Sequence, residues 1–415
     1  MPKKLLSYLT LYGAHALKVF SFLILIPHFT GIFSKDMWGQ ILTVQALALW
    51  LQIVVEYGFN LSATRSMSRV RDDLEALASL VAGVAGAKVL LSFVTVLISI
   101  LAVQFLNNLQ GLSLLVMWAT AFAVMQGFNP VWYFLAREQF GQYALIDFLS
   151  RLAYLGLCLF FIRHPDQGIF IFAFGVVTAG IANIAGYSLI RRQVPLRWPD
   201  LASSLSALRE GWSMFLFVGV TSIYTTLNLV ILGFSQTAVT VAAYGTSDRI
   251  VRAAGGLLDP LNRVIYARLS NLYHHDIPRA LAFLKKASVI ILAAGILIFS
   301  VGALAAPLII RILAPDYSES VIYLRLLLTF IPLLALNNIL GLHIMLPLGL
   351  DRQFNTVFLC VSLISVVAML IFTPIFGAAG MAIVTVSTEL LACLGMAAYI
   401  WRLGVLRPKR EEGHA

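Results

Sequence analysis

The chain has 415 residues, of which 60% are hydrophobic and only 12% charged, with a formal net charge of +10. About 25% charged residues is usual for a soluble domain, so that class is excluded. Long apolar runs recurring at near-regular spacing read as a polytopic α-helical membrane protein with one continuous membrane domain. The positive balance does not point to nucleic acid, because most of it lies in short loops on one side and no basic run interleaved with aromatics stands outside the apolar runs.

The hydropathy pattern predicts twelve spans. The first six are Leu5–Phe33, Gly39–Phe59, Leu77–Leu106, Leu112–Leu135, Ala144–Ile162 and Ile169–Ile190. The second six are Gly211–Gly233, Val241–Asn262, Ala287–Ile310, Ser320–Pro347, Asn355–Phe376 and Ala379–Trp401. Each run far exceeds the ~9–11 residues of a membrane strand, so only helices fit. Ala14-His15-Ala16 mimics a signal cleavage site, but the apolar stretch continues to Phe33 and reads as an uncleaved first span. Nineteen of the 29 Lys and Arg fall on one side, three (Lys35, Arg163 and Arg311) on the other and seven inside spans. That asymmetry predicts both termini in the cytoplasm.

Seven cations and five acids lie in segments that must cross hydrocarbon, where one charge costs roughly 2.5–3.5 kcal/mol at mid-helix. They must face inward, and the surplus of bases points to an anionic cargo. In the first span Lys18 lies too deep to reach an interface, and His15 shares the helix. Glu56 closes the second span, and Lys88 lies deep in the third. In the fifth, Arg151 has Asp147 four residues before it and reads as a structural pair. The seventh carries Thr221, Tyr224 and Asn228 on one face, placed either to bond sugar hydroxyls or to join helices.

The eighth span is the most polar. At 100° per residue, Asp248, Arg252, Asp259 and Arg263 fall within about 60° of one another, in two i,i+4 pairs. Arg249 has no acid three or four positions away on this helix. A guanidinium offers a planar fork of donors suited to a diphosphate, so Arg249 and Arg252 join Lys18 and Lys88 as candidate diphosphate ligands. A secondary set comprises Arg151, Asp248, Asp259, Arg263, Arg325, Tyr224 and Asn228. Gly255, Gly256 and Pro260 weaken the same helix and mark either a kink or close packing. In the tenth span Asn337 and Asn338 read as helix glue. Glu389, near the middle of the last span, is a candidate for proton or sodium coupling or the partner of a cation. Cys158, Cys360 and Cys393 read as small apolar residues.

A faint repeat divides the chain near Leu201: Trp38-Gly39 corresponds to Tyr244-Gly245, and Glu56 and Arg65 to Asp259 and Arg268. Residues 1–200 and 201–415 are accordingly expected as two six-helix bundles around a central cavity. No GxxxxGK, HExxH or CxxC pattern occurs, and the reading is not an enzyme.

The segment Val55-Glu56-Tyr57-Gly58-Phe59-Asn60-Leu61-Ser62-Ala63-Thr64 resembles a signature that follows the second span of O-antigen repeat-unit flippases. Pro130-Val131-Trp132-Tyr133-Phe134 with Glu138, then Ser222-Ile223-Tyr224-Thr225, Gly256-Leu257-Leu258-Asp259-Pro260 and Ile265-Tyr266-Ala267-Arg268, are similar to that family's later motifs and come in the same order. Leu135-Ala136 stands where the family often has Gln-Gly, and Ala267 where it often has proline. The resemblance implies a member of the multidrug/oligosaccharidyl-lipid/polysaccharide exporter superfamily that moves undecaprenyl-diphosphate-linked oligosaccharide across the bacterial inner membrane. Expected partners are that glycan, membrane lipids, and the polysaccharide polymerase and chain-length regulator, with no nucleic acid. No cofactor is expected beyond proton or sodium coupling. Two alternatives fit less well: a membrane polymerase should carry long outer loops, and an antiporter of cationic drugs should carry more acids than bases in its spans.

Overall fold

A computed structural model describes residues 21–70, 73–195 and 197–403, and among them there is no strand. The helices are α1 (Ser21–Ile32), α2 (Lys35–Glu56), α3 (Phe59–Arg69), α4 (Leu74–Phe105), α5 (Ser113–Gly127), α6 (Val131–Ala136), α7 (Phe140–Phe161) and α8 (Ile169–Arg191). They continue with α9 (Leu201–Ser235), α10 (Ala238–Gly255), α11 (Asp259–His275), α12 (Ile277–Leu313), α13 (Ser320–Leu328), α14 (Phe330–Asn337) and α15 (Asp351–Arg402). Eight helical stretches among the described residues are long and apolar enough to cross a bilayer. The protein is an all-α, multi-pass membrane protein.

Helix boundaries have local causes. The Ser34 hydroxyl accepts from Met37 N–H at the start of α2, and Asp73 accepts from Glu75 and Ala76 at the start of α4. Asp200 caps α9 through Ser203 N–H, and the helix therefore begins ten residues before the apolar run that marks the expected seventh span. The connection expected at Arg263–Lys286 is likewise helical, being the end of α11 and the start of α12. At 52 residues, α15 would be about 78 Å long if straight, against a hydrocarbon core of about 30 Å. It bends at Gly377 (φ 61°, ψ −144°), a backbone shape open essentially to glycine alone, so two helices meet there. The break expected between Phe376 and Ala379 falls at this residue.

The chain divides into two compact units. The first runs to Arg249 and takes in Ile310–Ser320; the second holds Ile250–Ile309 and the chain from Val321. In the first unit α2 packs on α5 and α9, α4 on α9, α8 on α5 and α7, and α3 on α6. Helix α2 meets α10 where Trp38 Nε1 donates to Thr246 Oγ1 at 3.0 Å, and a Cβ on Gly39 would overlap the Ala238 carbonyl. The repeated Trp38-Gly39 and Tyr244-Gly245 pairs are thus close-packing points within this unit, with Tyr244 fully buried.

Two of the signature segments build one aromatic core. Tyr57 (φ 48°) and Gly58 (φ 70°) turn the chain left-handed between α2 and α3, and Pro130 opens α6. Trp132, Tyr133 and Phe134 are buried against Tyr57, Phe59 and Tyr143. Tyr57 stacks on Phe215 at 4.5 Å between centroids and Phe134 on Tyr143 at 4.9 Å, while Thr64 Oγ1 donates to the Trp132 carbonyl at 3.1 Å. The segment 310–320 is tied to the same unit. Thr30 donates to Leu313 O, Ser247 to Ser320 O, and Lys35 pairs with Glu319 at 2.8 Å beside the buried Tyr317 ring. Burial pushes the Glu319 carboxyl up, but the Lys35 hydrogen bond and charge, with a backbone bond and Ser318, outweigh it and hold the group below the usual 4.5.

Two outcomes are expected. Gly39→Leu should cost about 1–3 kcal/mol or more, read as a lower melting temperature in detergent and less folded protein in membranes. The Lys35–Glu319 pair has a lowered folded value, so its contribution is present above the unfolded value of 4.5 and lost as pH falls through the folded one. Wild type should therefore melt above Glu319→Gln at neutral pH, and the difference should vanish in acid below 4.5, checked by melting scans across pH.

Candidate functional site

The eighth predicted span is two helices. Helix α10 ends at Gly255, one 3-10 turn covers Gly256–Leu258, and α11 begins at Asp259 with Pro260 in its first turn. Of the two readings, kink or close packing, the structure shows a tightened 3-10 turn between the two helices, in which Asp259 N–H bonds back to Gly256 O. Proline explains the position, since it lacks the N–H an interior turn needs and is tolerated at a helix start.

On α10, in the first unit, Arg249 lies over the Phe22 ring with its guanidinium carbon 3.7 Å from the centroid, and donates to Gln45 Oε1 at 2.8 Å. Its partners come from α1 and α2, which is why its own helix offered no sign of them. A guanidinium stacked on one face and bonded at one edge is held in a fixed orientation. Asp248 is buried at 5% exposure. Asp248, Arg249, Arg252, Asp259 and Arg263 all take part in further polar or electrostatic contacts.

Lys88, on α4, is 1% exposed. Its ammonium donates to the Asn129 carbonyl at 3.1 Å, within electrostatic reach of Glu56, which in turn accepts from Gln52 at 2.8 Å. Asn129 precedes Pro130, where α5 has ended and the backbone is free to accept; its own Oδ1 takes the Val131 N–H. The deep lysine therefore sits where the break before α6 leaves a carbonyl to be met. Asp147 and Arg151 form the expected i,i+4 pair at 2.8 Å. Arg325 is exposed and donates to the Ala303 carbonyl at 3.2 Å. Asn228 is buried, with its Oδ1 taken by Leu229 N–H and its Nδ2 without a partner among the described residues. Lys18 and the Tyr224 side chain lie outside the described residues.

The second unit holds a buried polar cluster around Glu389, which is 4% exposed. Asn337 Nδ2 donates to its carboxylate and, at 3.4 Å, to its backbone oxygen, while Cys393 Sγ lies 3.1 Å from Asn337 Oδ1. Arg252 is within electrostatic reach of Glu389. Asn337 is thus the glue its sequence context indicated, and the acid does stand near a cation. Just after Asn337 the helix widens into a π-helical stretch, Asn338–Met345. It carries fully buried His343, whose Nε2 lies 3.4 Å from the Asn262 carbonyl. The His343 Nδ1 and Asn262 Oδ1 are buried without a partner among the described residues. Sequence reasoning missed His343 and the π-helix; the available signal was a histidine set alone in the apolar run Ile339–Met345. Among the described residues no cluster of three or more His, Cys, Asp or Glu could hold a metal.

Comparison with known proteins decides the family. A family described as "Polysaccharide biosynthesis protein" matches residues 5–273, well over half of the chain. The chain belongs to that family. A protein of Escherichia coli (strain K12) named "Putative O-antigen transporter" is 25% identical over 376 residues, covering 89% of this chain and 90% of that one. A protein of the same name from Shigella dysenteriae is 23% identical over 402 residues, covering 95% and 99%. Among solved structures, the lipid II flippase MurJ in an inward closed conformation matches with a TM-score of 0.76 at 14% identity over 96% of this chain and 87% of that one. An inward-facing multidrug resistance MATE family transporter of the MOP superfamily matches at 0.69 and 14% identity, over 95% and 100%. The fold is therefore that of these exporter structures, as the motif order implied, and the chain is a multi-pass membrane protein of the polysaccharide biosynthesis family.

Replacing Lys88 with methionine should leave the half-buried Asn129 carbonyl without this partner. The expected cost is about 1–3 kcal/mol, seen as a lower melting temperature of the purified protein; Arg249→Gln, which gives up the Phe22 stacking and the charged bond to Gln45, should also lower the melting temperature, by a cost of about 1 kcal/mol or more.

Proposed function

We propose that this protein moves an undecaprenyl-diphosphate-linked oligosaccharide, an O-antigen or related polysaccharide repeat unit, from the inner to the outer leaflet of the bacterial inner membrane by alternating access. The observation that carries the reading is the surplus of bases over acids in the predicted spans and at their ends, seven against five with Arg263 counted at the end of the eighth. Charge in hydrocarbon is retained where it has work to do, and an excess of cations suits an anionic headgroup. The names of the two sequence relatives support the glycan.

In this reading the chain crosses the membrane twelve times, with both termini cytoplasmic and six-helix repeats at 1–200 and 201–415. Arg249 and Arg252 are the principal diphosphate ligands, with Lys18. Lys88 acts with them by holding the break before α6 in place. Asp248, Asp259, Arg263, Arg151, Arg325, Tyr224 and Asn228 serve the secondary polar surface. The oriented Arg249 guanidinium fits this role because a bidentate fork recognises phosphate oxygens where a flexible ammonium supplies only a point charge. Glu389, poised between Asn337 and Arg252, couples proton or sodium movement to transport. The polysaccharide polymerase and chain-length regulator receive the product, and no other cofactor is required.

Arg249→Gln and Arg252→Gln should insert at wild-type levels yet lower surface glycan about tenfold or more, as loss of a charge-assisted hydrogen bond worth about 1.5–3 kcal/mol would. Glycan blots on cells complemented with each variant measure this. Wild-type glycan from both variants would remove the two arginines from the mechanism.

A further inference from the structure

Gln45 lies midway along α2, about 15 Å from either end of the helix, and so near the middle of a hydrocarbon core about 30 Å thick. Thr43, Val44, Ala46 and Leu47 beside it are buried, while Gln45 itself is half-buried. Arg249 meets it from α10 through the 2.8 Å bond to Oε1. A guanidinium only donates, so this bond fixes the amide: Oε1 is taken up, and the Nε2 amino group is turned away with two N–H donors. Nε2 has no hydrogen bond among the described residues. Phe22 on α1 lies under the same guanidinium at 3.7 Å and stacks in turn on fully buried Trp38 at 6.4 Å between centroids. Tyr154 on α7 is within electrostatic reach of Arg249. Four helices of the first unit therefore converge around Arg249, at a depth where an unmet amide donor is unfavourable unless an incoming group accepts from it.

We propose that Gln45 is a second ligand of the diphosphate, its Nε2 donating to a phosphate oxygen beside the Arg249 guanidinium, and that Phe22 is the positioning residue for that guanidinium; the proposal rests on the substrate reading above. The fixed cation selects the acceptor. An oxygen approaching Nε2 also enters the field of Arg249, which favours a phosphate oxygen over a neutral carbonyl or hydroxyl. Depth selects the source. Phospholipid phosphates are held at the interfaces, about 15 Å from Gln45, whereas the diphosphate of a lipid passing between leaflets has to cross this level. A neutral amide adds a bond beside the cation without a second charge to hold the headgroup back, so the diphosphate is recognised here and still released.

The test measures binding of radiolabelled, sugar-free undecaprenyl diphosphate to full-length protein in nanodiscs of phosphatidylethanolamine and phosphatidylglycerol, titrated so that about a hundredfold loss is still read. Wild type is expected to hold the probe against added phosphatidylglycerol. Gln45→Met should weaken it about tenfold, as loss of one hydrogen bond to a charged group does, and should weaken it several-fold again when Arg249→Met is already present. A residue acting only by holding Arg249 would have no effect in that background. The double variant removes both partners of the Gln45–Arg249 bond and should fold; Gln45→Glu, which keeps the acceptor for Arg249 but loses both N–H donors, is a second folded variant expected to lose the probe. Phe22→Leu should weaken binding only where Arg249 is present, and Phe22→Tyr, which keeps the ring face, should restore it. Unchanged binding in Gln45→Met, or no effect of it beside Arg249→Met, would overturn Gln45 as a ligand while leaving the substrate reading intact. A Phe22→Leu loss that persists without Arg249 would overturn the positioning role. A probe displaced by phosphatidylglycerol, or held equally by wild type and Arg249→Met, would overturn the diphosphate site itself.

Discussion

A charge inside hydrocarbon has to be turned inward and given a polar partner, and the membrane-embedded architecture of this protein follows that constraint. Lys88 meets a carbonyl released by the break before Pro130. Arg151 closes on Asp147 one turn away. Arg249 rests on Phe22 and Gln45, and Glu389 is held by Asn337. In each case the partner is a backbone group or a side chain on another turn or helix, so the charges also join the elements that carry them. A buried ion with one partner removed costs more than the pair contributes, which makes these contacts demanding of the helices that supply them.

The helix breaks are the complement of the charges. The left-handed Tyr57-Gly58 turn, the Asn129-Pro130 step, the 3-10 turn before Asp259-Pro260, the π-helix after Asn337 and the bend at Gly377 interrupt otherwise long apolar helices. Several lie beside a polar contact just named: Asn129 serves Lys88, and Asn337 serves Glu389. An α-helix satisfies its own backbone and leaves little for a side chain to bond; a break frees carbonyls where they are wanted. The signatures at Val55–Thr64, Pro130–Phe134 and Gly256–Pro260 fall at these breaks, and the aromatic residues of the first two fill the space around them. The signatures at Val55–Thr64 and Pro130–Phe134 therefore describe how the first unit packs more than what it carries.

Apolar length alone revealed the membrane helices, because a bilayer imposes a hydrophobic run that no soluble helix needs. It also located the bend near Phe376, since glycine and proline punctuate the run. The helical starts of α9 and α12 were not legible, as their polar first turns lie outside the apolar window and depend on capping by Asp200 and on packing. Among the site residues, the Asp147–Arg151 pair was visible because both partners lie on one turn. The partners of Lys88 and Arg249 were hidden because they come from 41 and more than 200 residues away, on other helices. The π-helix and buried His343 left almost no trace, since an i→i+5 turn has no composition of its own and the polar contact of His343 is to Asn262, on α11.

The account holds that embedded cations serve the passage of a lipid-linked anionic glycan. The measurement that bears on it most directly is the sidedness of radiolabelled lipid-linked repeat unit in spheroplasts with and without this protein, read by its accessibility to a membrane-impermeant glycan-modifying enzyme. The account expects the label to collect in the inner leaflet when the protein is missing and to become accessible outside when it is restored. An outer-leaflet fraction unchanged by the protein would contradict it.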